Sequence, residues 1–196
     1  MEFKIENTKV YGVEKAVVNS GNSFRTIIRD ENDINDKDWV RGSKLGAVEP
    51  GSGHDSFLNG CLVMFDVTAP LYWWKQAQRY HWLEFISSQS TMHCVLKFDI
   101  EKQCTKETDS RVIEVLKNLI NKYNTSEDEE NRKVVWRSII ASLPCGFCLG
   151  ATMTTNYRQL KTMCLQRKGH RLTEWTDFIK WCHTLPHFDE LTGLKD

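Results

Sequence analysis

Neither sign of charge is in excess: lysine and arginine number 26 and aspartate and glutamate 26, so the formal net charge of the 196-residue chain is zero. That removes the global field by which a basic protein gathers polymeric nucleic acid or anionic lipid, and any anionic ligand has to be held by a local pocket. No unbroken hydrophobic run opens the sequence either. Residues 1–10 alternate charged and apolar side chains, which predicts neither a signal peptide nor a membrane span and makes the cytoplasm the expected location. The glycine-rich phosphate loop, HExxH and GxSxG are all missing, which leaves serine, cysteine and metal hydrolases little support. Seven cysteines, an odd number scattered along the chain, do not make a secreted disulfide framework, and buried thiols are expected instead.

What is present describes a folded chain. Hydrophobic residues make up 40% and charged residues 27%, and the length suits one ordinary domain, residues 1–196, with a real core. The valine-rich stretch Lys9 to Asn19 reads as a strand, Asp30 to Asp38 as a surface loop, and Gly60 to Thr68 as a buried strand after the turn Gly51 to Asp55. Pro70 stands where a helix starts, and nothing breaks that helix before Ser87. Cys94 to Ile100 reads as a further strand. Thr108 or Asp109 caps a helix with a single apolar stripe from Val112 to Ile120, and Ser126 with Glu129 has the form of a capping box for a helix running to about Ala141. Asn156 to about Gln166 reads as helix, and Thr173 can cap a last one that ends at Leu185 before Pro186. Strands and helices do not alternate regularly, so the expected class is α+β.

Three constellations carry possible chemistry. Gln76 and Arg79 lie three apart on the expected helix, ahead of Ser87-Ser-Gln-Ser90, and an arginine fork with amide and hydroxyl donors suits a phosphate. The same residues also fit an exposed arginine on an amphipathic helix that ends in a polar loop. Arg158 and Arg167 are nine residues apart on one helix and so point to roughly opposite sides; they serve two pockets, as in an oligomer with shared sites, or are simply solvated. Cys145-Gly-Phe-Cys148, with Cys182, His183 and His187 elsewhere, offers one convincing ligand pair where a structural zinc site needs two, so packing thiols and no metal are expected.

These pieces resemble a known family. Pro70-x5-Gln76-x2-Arg79 followed by Ser90-Thr91 is similar to the signature helix and loop of the flavin-dependent thymidylate synthases, RHRxxSxNxxSxR. Upstream, Gly53-His54-Asp55-Ser56 resembles the family's glycine-histidine turn. Downstream, Leu143-Pro144, Thr155-Asn156-Tyr157-Arg158-Gln159-Leu160, Arg167 and Glu174 resemble its later landmarks in order, so the resemblance spans roughly Gly53 to Trp181. It implies a single α+β domain with a mixed or antiparallel sheet, a homotetramer, and FAD bound between subunits. It also implies methylation of dUMP to dTMP with methylenetetrahydrofolate and NADPH as co-substrates. Carried over by position, Gln76, Arg79, Ser90 and Arg167 match nucleotide-binding positions. His54, Ser56, Asn156 and Arg158 match flavin-binding positions. Arg167 is the implied catalytic group, set against the pyrimidine edge to stabilise charge developing on the ring.

The sequence also departs from the pattern. Tyr80 and His81 follow Arg79 where histidine and arginine are expected, Ser88 replaces an acidic residue, and Met92 and Ile140 stand at positions of nucleotide-binding arginines. Lost guanidinium contacts at about 1.5–3 kcal/mol each leave His93 and Arg137 as local substitutes. Alternatively the chain modifies another pyrimidine nucleotide, or binds nucleotides without catalysis.

Overall fold

The computed structural model describes residues 1–195, and the elements follow from local chemistry that differs in several places from the reading above. Strand β1 (Lys4–Tyr11) stops at Gly12, whose φ of 75° places it in the left-handed region, and helix α1 (Val13–Asn19) follows. The strand expected over Lys9 to Asn19 is thus mostly helix. Val13, Ala16 and Val17 recur at i, i+3 and i+4 and are buried, so the helical period outweighs the β-propensity of valine. A Cβ on Gly12 would lie 2.7 Å from the Gly60 carbonyl oxygen, so the junction needs glycine.

The polar stretch Asp30 to Asp38 is not a surface loop throughout. It contains a short 3-10 turn (Glu31–Asp33) and opens helix α2 (Asp36–Gly46), where Asn35 and Asp38 form a reciprocal capping box. Asp30, Asn35 and Asp38 in this stretch are capping residues. Asp38 itself is only 1% exposed.

A 3-10 segment (His54–Gly60) leads into strand β2 (Leu62–Pro70), in which Val63, Phe65 and Val67 are buried and Leu62 and Met64 exposed, the period of two of a strand. Helix α3 (Leu71–Ala77) is much shorter than the expected run to Ser87. Absence of glycine and proline permits a helix without fixing its length, and Trp82 to Ser87 is rich in the aromatic and β-branched residues that suit strand β3 (Glu84–Ser88). The strand expected over Cys94 to Ile100 is instead helix α4 (Thr91–Cys94), a 3-10 turn (Val95–Lys97) and helix α5 (Ile100–Gln103), the last capped by the Asp99 side chain on the Lys102 N–H.

Helix α6 (Ser110–Thr125) takes Asp109 as its cap, one of the two expected. Helix α7 (Glu129–Ala141) is capped by Asp128, not by Ser126, because the Asp128 carboxylate reaches the Glu130 N–H at 3.0 Å while Ser126 closes α6. Strand β4 (Cys148–Asn156) runs directly into helix α8 (Tyr157–Arg167), and helices α9 (Thr173–His183) and α10 (Phe188–Thr192) complete the chain. Leu172, with no side-chain cap, stands at the start of α9 in place of Thr173.

The strands form one sheet in the order β1-β2-β4-β3, and the class is α+β. Two compact units interleave along the sequence. The first comprises Met1–Lys4, Val67–Arg79 and Ile86–Thr152. Its core packs Val95, Ile100, Leu116, Val135, Ile139 and Phe147, with α6 lying against α7. The second comprises Ile5–Asp66, Tyr80–Phe85 and the chain from Met153 on. In it α2 and α10 approach so closely that a Cβ on Gly46 would overlap the Leu191 carbonyl. Among the described residues no helix is long and apolar enough to cross a membrane.

Candidate functional site

The polar cleft of the second unit is built where β4 turns into α8. Asn156 ends the strand in an extended conformation and its Oδ1 accepts the Gln159 N–H at 2.9 Å, a helix cap that leaves its amide nitrogen as a donor. Arg158, in the first turn of α8, donates from Nε to Asp55 Oδ1 at 3.0 Å. Asp55 is wholly buried, because the left-handed Gly53 turns the chain so that His54 and Ser56 face solvent and Asp55 faces inward. One turn further along α8, Lys161 is 2% exposed and donates from Nζ to the carbonyls of Gly46 (2.7 Å) and Val48, with Asp55 Oδ2 at 3.9 Å. Burial pushes the Lys161 pKa down, and the neighbouring Asp55 carboxylate opposes that.

Two cations thus share one buried carboxylate, and the surplus positive charge sits at the Arg158 end. With its Nε occupied, the arginine has its terminal amino groups without a hydrogen-bond partner among the described residues. It lines a cleft of about 540 Å³ together with Asn59, Trp82, Asn156 and Gln159. A fixed guanidinium beside amide donors and an indole in a cleft of this size is suited to an anion attached to a planar ring.

At the other end of α8, Arg167 has a different set of partners. Its Nε donates to the Tyr80 hydroxyl at 2.7 Å and its guanidinium carbon lies 4.4 Å from the Trp175 ring centre and 5.3 Å from that of Tyr80. Cation–π stacking holds the planar group in one orientation. The nine-residue spacing therefore gives Arg158 and Arg167 separate surroundings. His54 and Ser56 are placed apart from Asn156 and Arg158 as well: they line another cavity of about 840 Å³, walled by Lys15, Asn19, Phe24 and Phe57. The four flavin-matched positions are accordingly divided between two cavities.

The remaining nucleotide-matched positions belong to the first unit. Gln76 is half-buried in α3. Arg79 is exposed and lies beyond the helix, in a turn whose N–H donates to the Gln76 carbonyl at 3.3 Å, so the two residues share a turn and not a helical face. Ser90 is the half-buried N-cap residue of α4, and Met92 and His93 after it are exposed. Ile140 packs against the apolar core of this unit, and Arg137 is exposed. Cys145 is exposed and Cys148 buried at the start of β4. No group of three or more metal-ligating side chains occurs among the described residues.

Sequence reasoning assigned no role to Asp55 or Lys161. Asp55 is framed by two residues that were assigned one, and Lys161 is three residues from Arg158, hence on its side of α8. That shared face was the available signal; the burial that makes the pair consequential is set by Gly46 and Val48, remote in sequence.

No family model matches the sequence, and no curated protein does. Solved structures share the fold. A flavin-dependent thymidylate synthase ThyX from Helicobacter pylori, complexed with FAD and dUMP, superposes with a TM-score of 0.70 at 14% identity, covering 98% of this chain and 97% of that one. A second structure of the Helicobacter pylori protein with FAD and dUMP gives 0.67 at 13% identity, with coverage of 98% and 96%. The chain has the fold of these enzymes.

Proposed function

We propose that the chain is a flavoenzyme of the thymidylate synthase type, which binds FAD and methylates a pyrimidine deoxynucleotide, dUMP to dTMP, with methylenetetrahydrofolate as carbon donor and NADPH as reductant. The shared fold supports the class, and the observation that carries the reading to this chain is Arg158, fixed through Nε by a buried carboxylate so that its terminal nitrogens open on a cleft with Asn156. The residues fit part of a flavin dinucleotide. Arg158 and the Asn156 amide would hold an anionic or carbonyl edge, and Trp82 offers an aromatic face. Bound reduced flavin would supply the hydride.

The chain's own groups then bind and orient. Arg167, held by Tyr80 and Trp175, is assigned to the developing negative charge of the pyrimidine, and Gln76, Arg79 and Ser90 to the nucleotide. In this reading the protein acts in the cytoplasm as a homotetramer whose sites draw on more than one subunit.

Purified protein supplied with FAD should be yellow and retain the flavin on gel filtration. Arg158→Ala should weaken FAD binding by about 1.5–3 kcal/mol, ten- to more than a hundredfold. A colourless wild type that takes up no FAD ends the reading. Arg79→Ala should weaken dUMP binding by the same order with little change in melting temperature, and Arg79→Lys should restore only part, because a point charge does not reproduce the planar fork. Equal calorimetric affinities for wild type and Arg79→Ala would remove Arg79 from the site.

A second reading, modification of another pyrimidine nucleotide, is favoured by one observation. Ile140 contributes to an apolar core and Met92 presents a thioether to solvent, so neither supplies the charge expected there. Titrating several pyrimidine monophosphates against flavin-loaded protein separates the two.

A further inference from the structure

Between the C-terminal end of α8, one face of α9 and the segment after α10 lies a cavity of about 490 Å³ that the flavin reading does not use. Its apolar lining comes from Leu165, Ile179 and Leu194, and its charged groups are Lys168, Lys180 and Lys195. Thr176, Ile179, Lys180 and His183 recur along α9 at the spacing of a single helical face, so apolar and cationic groups converge here by helical geometry.

The charge is one-sided, with no aspartate or glutamate among the lining residues. Lys168 follows the last turn of α8, where the carbonyl ends of the helix favour a cation, and this accounts for one lysine. Lys180 has an exposed partner in Asp177 at 3.8 Å, a pair worth little in water. His183 has its Nδ1 2.5 Å from the Asp189 carboxylate, which fixes its ring at the cavity wall. A chain of zero net charge has here collected three lysines around an apolar hollow of ligand size.

We infer that this cavity is a binding site for a small amphipathic anion, an apolar body seated on Leu165, Ile179 and Leu194 with a carboxylate or sulfonate head among Lys168, Lys180 and Lys195. The lysines select the sign of the head group and the hollow selects the tail. The site shares no residue with the Arg158 cleft, so it stands or falls apart from the flavin reading.

The test is fluorescence titration of the full chain with anilinonaphthalene sulfonate, with octanoate and octylammonium as competitors. The expected result is a saturable single-site enhancement, displaced by octanoate but not by octylammonium or by excess FAD. The double variant Lys168→Glu, Lys180→Glu should bind about tenfold or more weakly at an unchanged melting temperature, since both side chains are exposed. A non-saturable signal, displacement by FAD, equal displacement by octylammonium, or undiminished affinity in the double variant each overturns the proposal. Should the double variant melt early, Ile179→Asp, which spoils the apolar seat and keeps the lysines, replaces it, and unchanged affinity there has the same force.

Discussion

Replacing Asp38 by asparagine is expected to destabilise the protein by about 3–5 kcal/mol, a fall of roughly 6–20 °C in melting temperature for a chain of this size. The carboxylate is 1% exposed and receives three guanidinium groups: Arg25 at 2.7 Å and Arg41 at 2.7 Å on Oδ1, and Arg29 at 2.9 Å on Oδ2. Each arginine also ties down backbone. Arg25 donates to the Val18 carbonyl at 2.6 Å, Arg41 to Val17 and Val18 at 3.2 Å, and Arg29 to the Asp33 carbonyl. Asparagine keeps the shape but loses the charge and turns an N–H2 toward cations, so three partly buried guanidinium groups are left facing one another. The pH dependence gives an independent check. Burial works against the charged form of Asp38, but hydrogen bonds from Arg41, the Asn35 N–H, Arg25 and Arg29 outweigh it and lower the pKa from 3.8 to about 2. A carboxyl depressed on folding contributes stability that is present above its unfolded value and is lost as pH falls through the folded one. Wild type should therefore lose about 2 kcal/mol from this group between roughly pH 4 and pH 2, and Asp38→Asn should not. Parallel pH curves for the two proteins would show that the cluster does not act as a charged unit.

Asp55→Asn should have a similar cost, about 3–5 kcal/mol, and a different signature. It removes the carboxylate that pairs with both Arg158 and the buried Lys161. The Lys161 pKa is already lowered from 10.5 by burial, against the raising influence of Asp55 and Glu49 and with Arg158 lowering it further, so losing the carboxylate lowers it more. When the folded protein releases a lysine proton before the unfolded chain does, the unfolded chain binds more protons and stability rises with pH across the interval between the two values. The variant should show this rise over a wider alkaline window than wild type, extending toward neutral pH, in denaturant melts taken from neutral to alkaline buffer. Arg158, no longer held by a carboxylate at Nε, should bind FAD about tenfold more weakly. A variant that melts early but keeps full FAD affinity would limit Asp55 to the architecture of the unit.

The sequence was most legible where one local rule acted without competition. Asp109, one of two caps offered before an apolar stripe, the helix beginning near Asn156 and the apolar run that becomes β2 were all read from neighbours, and the structure keeps them. It misled where two local rules conflicted. Valine favours a strand, yet the valines of α1 fall at helical spacing, and the polar run before α2 has loop composition but capping geometry. The landmarks resembling the flavin-dependent thymidylate synthases pointed to a fold that the superposition supports at 14% identity. Asp38, Asp55 and Lys161 were not legible as a group because their importance rests on burial. Burial is produced by pairings such as Lys161 with Gly46 that no window of sequence contains.

The overlap that any Cβ on Gly46 would make with Leu191 also bears on the order of events during synthesis. α1 and the His54–Gly60 segment pack against α2, but the rest of its buried face is finished by α10 and by the Lys161 ammonium on the Gly46 carbonyl, so the early helix emerges from the ribosome without that part of its cover. Residues 67–152 belong largely to the other unit and must be made first, a delay on the order of ten seconds at typical bacterial or eukaryotic elongation rates. Through that interval residues 5–66 lack the contacts that Leu191 and Lys161 supply at Gly46. A glycine whose missing side chain lets two helices touch thereby ties completion of an earlier-made segment to arrival of a later one.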